Sequence, residues 1–173
     1  MARSRPLPPP EFETRLRAHF GDAISGFELV HDEPVVTIAR DQYHDLVRFL
    51  RDEPEFAFDY CDFTSGVDYG DEGIEIVTQL FSNVHHHRVR IKLRLATDDL
   101  SYPTISDLYP TADWHERENM EMFGVTVEGH PQPVRLLLHE PFEGHPLRKD
   151  FALMSRTAKP WPGAVEGEEE DDE

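Results

Sequence analysis

The sequence predicts an α+β fold: a largely antiparallel sheet with flanking helices and an extended C-terminal arm. Three observations predict it. Two early strand-like stretches are followed by a helix and then by three strand-like stretches in succession, an order that suits an antiparallel sheet. Segment 85–96 alternates, with Val89, Ile91, Leu93 and Leu95 on one side and Arg88, Arg90, Lys92 and Arg94 on the other, the mark of a strand with one buried and one wet face. Beyond Val127, Pro131, Pro133, Pro141 and Pro146 break any long element, and Gly129 and Gly144 recur among them, so this stretch reads as an extended arm.

The elements follow in order. Pro6 to Pro10 is expected to be extended and poorly ordered. Glu11 to Phe20 reads as a helix with Phe12, Leu16 and Phe20 four apart on one face, ended by Gly21. Phe27–Val30 and Pro34–Ala39 read as short strands about the polar turn His31-Asp32-Glu33. Asp41 is the expected cap of a second helix running to about Arg51, with Tyr43, Leu46, Val47 and Leu50 inward. Phe56–Val67, Gly73–Phe81 and His85–Ala96 are the three successive strands, with turns at Asp71-Glu72-Gly73 and Ser82-Asn83. Tyr102–Tyr109 reads as a loop. Asp113 is the expected cap of a third helix, with Glu116 as its capping-box partner, and Gly124 ends that helix in the C′ position. The organisation predicted is a disordered N-terminus (1–10), an α+β domain (11–127), an extended partner-wrapping arm (128–159) and a disordered acidic tail (160–173).

Composition excludes several classes. The formal charge is −18, and with the seven acids of Glu166–Glu173 set aside the remainder still carries 17 bases against 28 acids, or −11. Such a field repels phosphate backbones, so nucleic acid is not an expected partner. No apolar run approaches the roughly 20 residues that span a bilayer, and the basic N-terminus has no apolar stretch behind it of the kind a secretory signal needs. Cys61 is the one cysteine. A disulfide within the chain is excluded, and so is a cluster held by about four thiolates; Cys61 itself reads as a small buried hydrophobe. Neither Gly-x-Gly-x-x-Gly nor Gly-x-x-x-x-Gly-Lys occurs, so no dinucleotide or P-loop signature is present.

Two segments carry most of the chemistry. In Trp114–Val125, Trp114, Glu118 and Met122 fall at i, i+4 and i+8, which places Glu118 in line with an apolar stripe; its carboxylate is expected to be held by an arginine or lysine, with Arg148 a candidate. Arg117 and Glu121 are spaced to pair on the other side. The arm holds two copies of Glu-Gly-His-Pro, Glu128–Pro131 and Glu143–Pro146, the second continuing as Leu147-Arg-Lys-Asp-Phe151. Glycine permits close backbone approach and proline fixes the exit direction. The histidines read as groups that satisfy backbone carbonyls in a tight turn, with catalysis as the alternative. His85 and His87 share a strand face and form a candidate two-ligand metal pair, against ordinary exposed strand histidines.

Asp113-Trp-His-Glu-Arg-Glu-x-x-Glu-Met-Phe-Gly-Val125, followed by Glu128-Gly-His-Pro131 and Phe142-Glu-Gly-His-Pro-Leu-Arg-Lys-Asp-Phe151, resembles the signature of the C subunit of respiratory complex I, the NADH:quinone oxidoreductase subunit family of 30 kDa type. The motif spans about forty residues. Two departures stand out: Glu121 where the family usually has aspartate, and Gln132-Pro-Val-Arg135 where it usually has Asp-Leu-Arg-Arg. The resemblance implies a cofactor-free structural subunit of the peripheral arm of a proton-translocating enzyme that passes electrons from NADH through FMN and iron–sulfur clusters to quinone. It implies the quinone-site (D) subunit as principal partner, with the B and I subunits nearby. It also implies a peripheral place on the cytoplasmic side of the membrane, touching the membrane only through the complex. The partner-binding residues it implies are Glu116, Arg117, Glu118, Phe123, Gly129, His130, Pro131, Gly144, His145, Pro146, Leu147, Arg148, Lys149 and Asp150. Two other readings stay open: the equivalent subunit of a ferredoxin- or F420-linked relative or a membrane-bound hydrogenase, and a free-standing histidine or metal enzyme.

Overall fold

The structure, a computed structural model, describes residues 8–152. The expectations for the acidic tail, for the first residues of the chain and for the end of the arm lie outside them.

Helix α1 spans Pro9–Phe20 and buries Phe12, Leu16 and Phe20. It begins two residues before the sequence suggests, because proline, which has no N–H to leave unpaired, suits the first turn. Strands β1 (Ile24–Val30) and β2 (Glu33–Ile38) form a hairpin. Its turn residues His31 and Asp32 adopt φ of 54° and 66°, the left-handed pair that matches the twist of a two-residue hairpin. A single 3-10 turn, Arg40–Gln42, leads into α2 (Tyr43–Asp52), so Asp41 sits inside that turn and Gln42 takes the cap position. Tyr43, Leu46, Val47 and Leu50 are buried as their spacing predicts.

Strands β3 (Tyr60–Asp68), β4 (Ile74–Ser82) and β5 (His87–Leu95) pair as an antiparallel meander. The five-stranded order is β1-β2-β5-β4-β3, and β2 and β5 run parallel. The α+β class is as predicted, and three of the four pairings are antiparallel. The parallel pair closes the β1–β2 hairpin onto the meander, α2 lying in the connection between them. Val89, Ile91, Leu93 and Leu95 point into the core, joined by Ile74, Ile76 and Leu80. The aromatic rings of Phe12 and Phe56 meet edge-on, centroids 4.9 Å apart.

The start of the stretch read as a loop overlaps a short strand, β6 (Ser101–Pro103), which pairs in parallel with β7 (Thr126–Glu128). Between them lies α3, Ala112–Phe123. It starts before Asp113, with Thr111 at the cap position and no side-chain cap bond. Gly124 ends it at φ 69° and ψ 26°, its N–H donating to Met120 O at 3.1 Å, the C′ role predicted for it.

Candidate partner-binding surface

Helix α3 decides the geometry of this end of the molecule. Its buried residues are Ala112, Glu116, Asn119 and Phe123, with Glu121 close behind. The first four fall at i, i+4, i+7 and i+11, a helical face that carries two polar residues and therefore does not read as apolar. The Trp114–Glu118 line faces outward instead: Trp114 is 66% exposed. The expected inward stripe is thus corrected, and the reason lies in β3. That strand is the edge of the sheet, and an edge leaves main-chain groups to be satisfied. Gly66 N–H donates to Asn119 Oδ1 at 3.1 Å, and Asn119 Nδ2 reaches Tyr102 Oη at 3.2 Å and Thr64 O at 3.5 Å. The Asn119 amide continues the ladder where a sixth strand would. Gly66 allows the approach, since a Cβ there would lie 2.7 Å from the Phe123 ring.

Glu116, fully buried, is not a capping-box partner. It accepts the Ile105 N–H at 2.7 Å and the Thr104 hydroxyl at 2.5 Å. Burial pushes its carboxyl up to about 7 against these bonds, with Asp113 and Asp107 adding to the rise. The buried ring of His130 lies beside it. Gln132 N–H donates to His130 Nδ1 at 3.1 Å, so Nδ1 keeps its lone pair and the proton sits on Nε2. Nε2 then faces Asp113 O and Asp113 Oδ1, both at 3.3 Å, and Glu116 Oε2 at 3.7 Å.

The fold prefers the protonated form of Glu116, which fixes the sign of a pH effect. Stability from this group is complete below about pH 4.5, the ordinary value, and is lost as pH rises through about 7. A shift of that size corresponds to about 3 kcal/mol. His87, whose ring burial lowers its pKa, acts in the opposite sense over part of this range. The expected result is therefore a difference: between pH 4.5 and 7.5, chemical denaturation of wild type and Glu116→Gln will diverge, the wild type losing about 3 kcal/mol relative to the variant. Parallel curves would contradict it.

The arm lies on α3. Its two Glu-Gly-His-Pro copies bracket the helix: His130 engages Asp113 at the N-terminal end, and His145 Nδ1–H donates to Glu121 O at 2.8 Å near the C-terminal end. Gly129 and Gly144 turn with φ of 78° and 87°, and Pro131 and Pro146 follow the two histidines. Both histidines bond backbone carbonyls, the non-catalytic reading given above. Arg117 does not pair with Glu121. Its guanidinium donates to Val134 O and Arg135 O, both at 2.8 Å, and lies 3.7 Å from Asp113. Glu121 instead collects three arm N–H groups, those of Leu136, Leu137 (2.8 Å) and Leu138 (3.3 Å). Aspartate, shorter by one methylene, would reach less far.

Farther along, Leu147 N–H donates to Met122 O at 3.1 Å and Lys149 N–H to Asp68 Oδ2 at 2.6 Å. Gly144 turns against the Phe151 ring, which stacks on Phe142 with centroids 6.0 Å apart. The main chain of the second Glu-Gly-His-Pro segment is thus tied to its own domain, while the side chains of Lys149 and Asp150 stay exposed. Arg148 does not hold Glu118. It pairs with Asp150 at 3.7 Å, where Asp150 is largely exposed, a rim pair of about 0–1 kcal/mol. Glu118 has no ion pair or hydrogen bond among the described residues.

His85 and His87 each spend Nε2 on a backbone carbonyl, while His85 Nδ1 is buried with no hydrogen-bond partner among the described residues. His85 Nε2 bonds Pro54 O at 2.9 Å and His87 Nε2 bonds Phe56 O at 3.1 Å, so both rings tie down the connection after α2. His87 also stacks on Phe58, 4.5 Å between centroids. Cys61 is buried, and burial pushes its thiol up to about 11, away from reactive thiolate behaviour. Asn119 and Asp68 were missed by sequence reasoning. Asn119 could have been found as a polar residue aligned with Ala112, Glu116 and Phe123; Asp68 gave no signal.

The outward face of this end carries several apolar side chains, Trp114, Leu137, Leu147, Val134 and Tyr60, among exposed polar residues such as Asp62, Arg135 and Glu143. The family model described as respiratory-chain NADH dehydrogenase, 30 Kd subunit, matches residues 36–157. The NADH-quinone oxidoreductase C subunit of Chlorobium phaeobacteroides is 42% identical over 141 residues, covering 80% of this chain and 85% of the relative. The corresponding protein of Roseiflexus castenholzii is 37% identical over 146 residues, covering 83% and 84%. Among solved structures, a trypsin-resistant fragment of Nqo5 matches with a TM-score of 0.60 at 22% identity, covering 70% of this chain and 98% of the fragment. A chain of a membrane-bound sulfane sulfur reductase, an archaeal respiratory membrane complex, matches with a TM-score of 0.66 at 22% identity, covering 84% and 86%. These two likenesses concern the fold.

Proposed function

The chain belongs to the family of the 30 Kd subunit of respiratory-chain NADH dehydrogenase, the complex I type of assembly, and from that premise we propose that it is a structural, non-catalytic subunit of the enzyme's peripheral arm with no cofactor of its own. Electrons would pass from NADH through FMN and iron–sulfur clusters in other subunits to quinone. The observation that carries the reading is the α3–arm unit. His130, His145, Arg117 and Glu121 are spent on backbone groups, which is the work of holding a surface rigid and not of turning over a substrate. Its outer face keeps Trp114, Leu137 and Leu147 exposed, apolar area that suits a protein partner. One cysteine in the whole chain supports the absence of a cluster of its own.

The quinone-site (D) subunit is the partner proposed for the arm, with the B and I subunits adjacent. The assembly would hold the chain peripherally on the cytoplasmic side of the membrane; no helix among the described residues is long and apolar enough to cross one. A chain of a membrane-bound sulfane sulfur reductase shares the fold, and it is the sequence identity to NADH-quinone oxidoreductase relatives that favours an NADH-linked electron-input module. The test is affinity purification of the tagged chain after mild detergent extraction, with mass spectrometry of what accompanies it. The expected companions are a flavin- and NADH-binding subunit and a quinone-site subunit. A ferredoxin, F420 or hydrogenase module in their place would contradict the NADH reading. Stoichiometric flavin, iron or zinc in the isolated chain would contradict the cofactor-free one.

A further inference from the structure

Between β3 and α3 the surface opens into a groove of about 640 Å³. Tyr60 and Asp62 form one wall, Trp114 and Glu118 the other, and Leu136 and Leu137 of the arm close the end. We propose that this groove receives a segment of a neighbouring subunit that carries an aliphatic or aromatic side chain flanked by arginine or lysine. The proposal rests on the subunit reading above and names the chemistry of the contact.

Apolar exposure is the first argument. Trp114 is 66% exposed, Leu137 57% and Tyr60 46%, whereas most large apolar side chains of this fold are buried. A tryptophan at the mouth of a fixed groove is the residue type most often found to dominate an interface. The groove is also pre-organised. Asn119 locks α3 to β3, and Glu121 fixes the N–H groups of Leu136 and Leu137, so little ordering cost is left for binding.

Charge selects the occupant. No arginine or lysine lines the groove; its titratable side chains are Asp62, Glu118 and His115, and neither carboxylate has an ion pair among the described residues, while His115 Nδ1 is buried with no hydrogen-bond partner there. Elsewhere on this acid-rich chain Glu28, Glu33, Glu75 and Asp99 each meet a lysine or arginine. Covering Glu118 with an apolar segment alone would strip water from its carboxylate without compensation. An occupant that brings its own cation over the Glu118 rim satisfies both halves of the site. A second copy of this chain is disfavoured by the same rule, since its net charge is −18.

The test uses the assembled complex. A photoreactive Trp114→p-benzoylphenylalanine substitution is cross-linked in place, with Leu29, exposed on the opposite edge strand, as the control position. The expected product from position 114 is a link to one peptide of another subunit, with an apolar residue next to arginine or lysine; the control gives no such link. In parallel, Glu118→Arg should lower recovery of the assembled complex about tenfold or more, with Glu118→Gln between it and wild type and the melting temperature of the purified full chain unchanged in both. Links from position 114 only to this chain itself, to a second copy, or to a peptide without a basic residue overturn the proposal, as does normal assembly of Glu118→Arg. When wild type assembles with its companion subunits and any of these contrary results is obtained, the groove assignment alone fails. When the wild-type chain brings down no partner at all, the subunit reading fails and takes this one with it.

Discussion

Glu121→Ala will release residues Leu136–Leu138 from α3 while leaving the sheet intact. The carboxylate accepts three consecutive arm N–H groups, and each charge-assisted bond of this kind contributes about 1.5–3 kcal/mol. The three share one carboxylate and are not additive, so the expected loss is about 3–4 kcal/mol of local stability. Amide hydrogen exchange reads this directly. Protection at Leu136, Leu137 and Leu138 should fall by about 10²–10³-fold, with β4 and β5 amides unchanged. Glu121→Gln, which keeps an acceptor oxygen but loses the charge, should fall between. Unchanged protection in the alanine variant would mean that the arm is held by its other contacts, the Arg117 and His145 bonds foremost.

Asn119→Ala will be costly to the whole domain. It strands the Gly66 N–H and the hydroxyl of the fully buried Tyr102, each an unmet polar group worth about 1–3 kcal/mol. It also leaves the edge of β3 uncovered. A total of about 2–5 kcal/mol is expected, which for a chain of this size lowers the melting temperature by about 5–15 °C. Asn119→Asp is the informative companion. It can still accept from Gly66 N–H but puts an unpaired charge on the same buried face as Glu116, so it should not rescue the loss and should worsen it as pH rises. A variant with wild-type melting would show that water replaces the amide at the edge.

How much of this was legible in the sequence follows from which interactions have a periodic signature. The helices α1 and α2 and the alternating strand β5 bury apolar residues at regular spacing, so their inward faces could be named residue by residue. The face of α3 could not, because Glu116 and Asn119 are buried for their hydrogen bonds to β3 and to the 104–105 segment, and polar burial has no hydrophobic period. Spacing alone therefore turns Trp114 inward and makes Asp113 a cap. The parallel β2–β5 pair was hidden because strand order is set by a crossover between distant segments. The α3 and Glu-Gly-His-Pro segments stand out in the sequence, yet His130, His145, Arg117 and Glu121 act on backbone groups, which no side-chain pairing rule identifies.

In the role proposed for it, the α3–arm unit holds the chain in its complex and takes no part in the chemistry. Turnover per assembled complex in a Glu121→Ala strain tests it most directly. The complex is purified, its quantity set by the flavin content of the whole assembly, and its NADH:quinone activity divided by that quantity. The predicted result is less assembled complex per cell with turnover per surviving complex close to wild type. Normal assembly with collapsed turnover would contradict the account, placing this surface in catalysis or coupling.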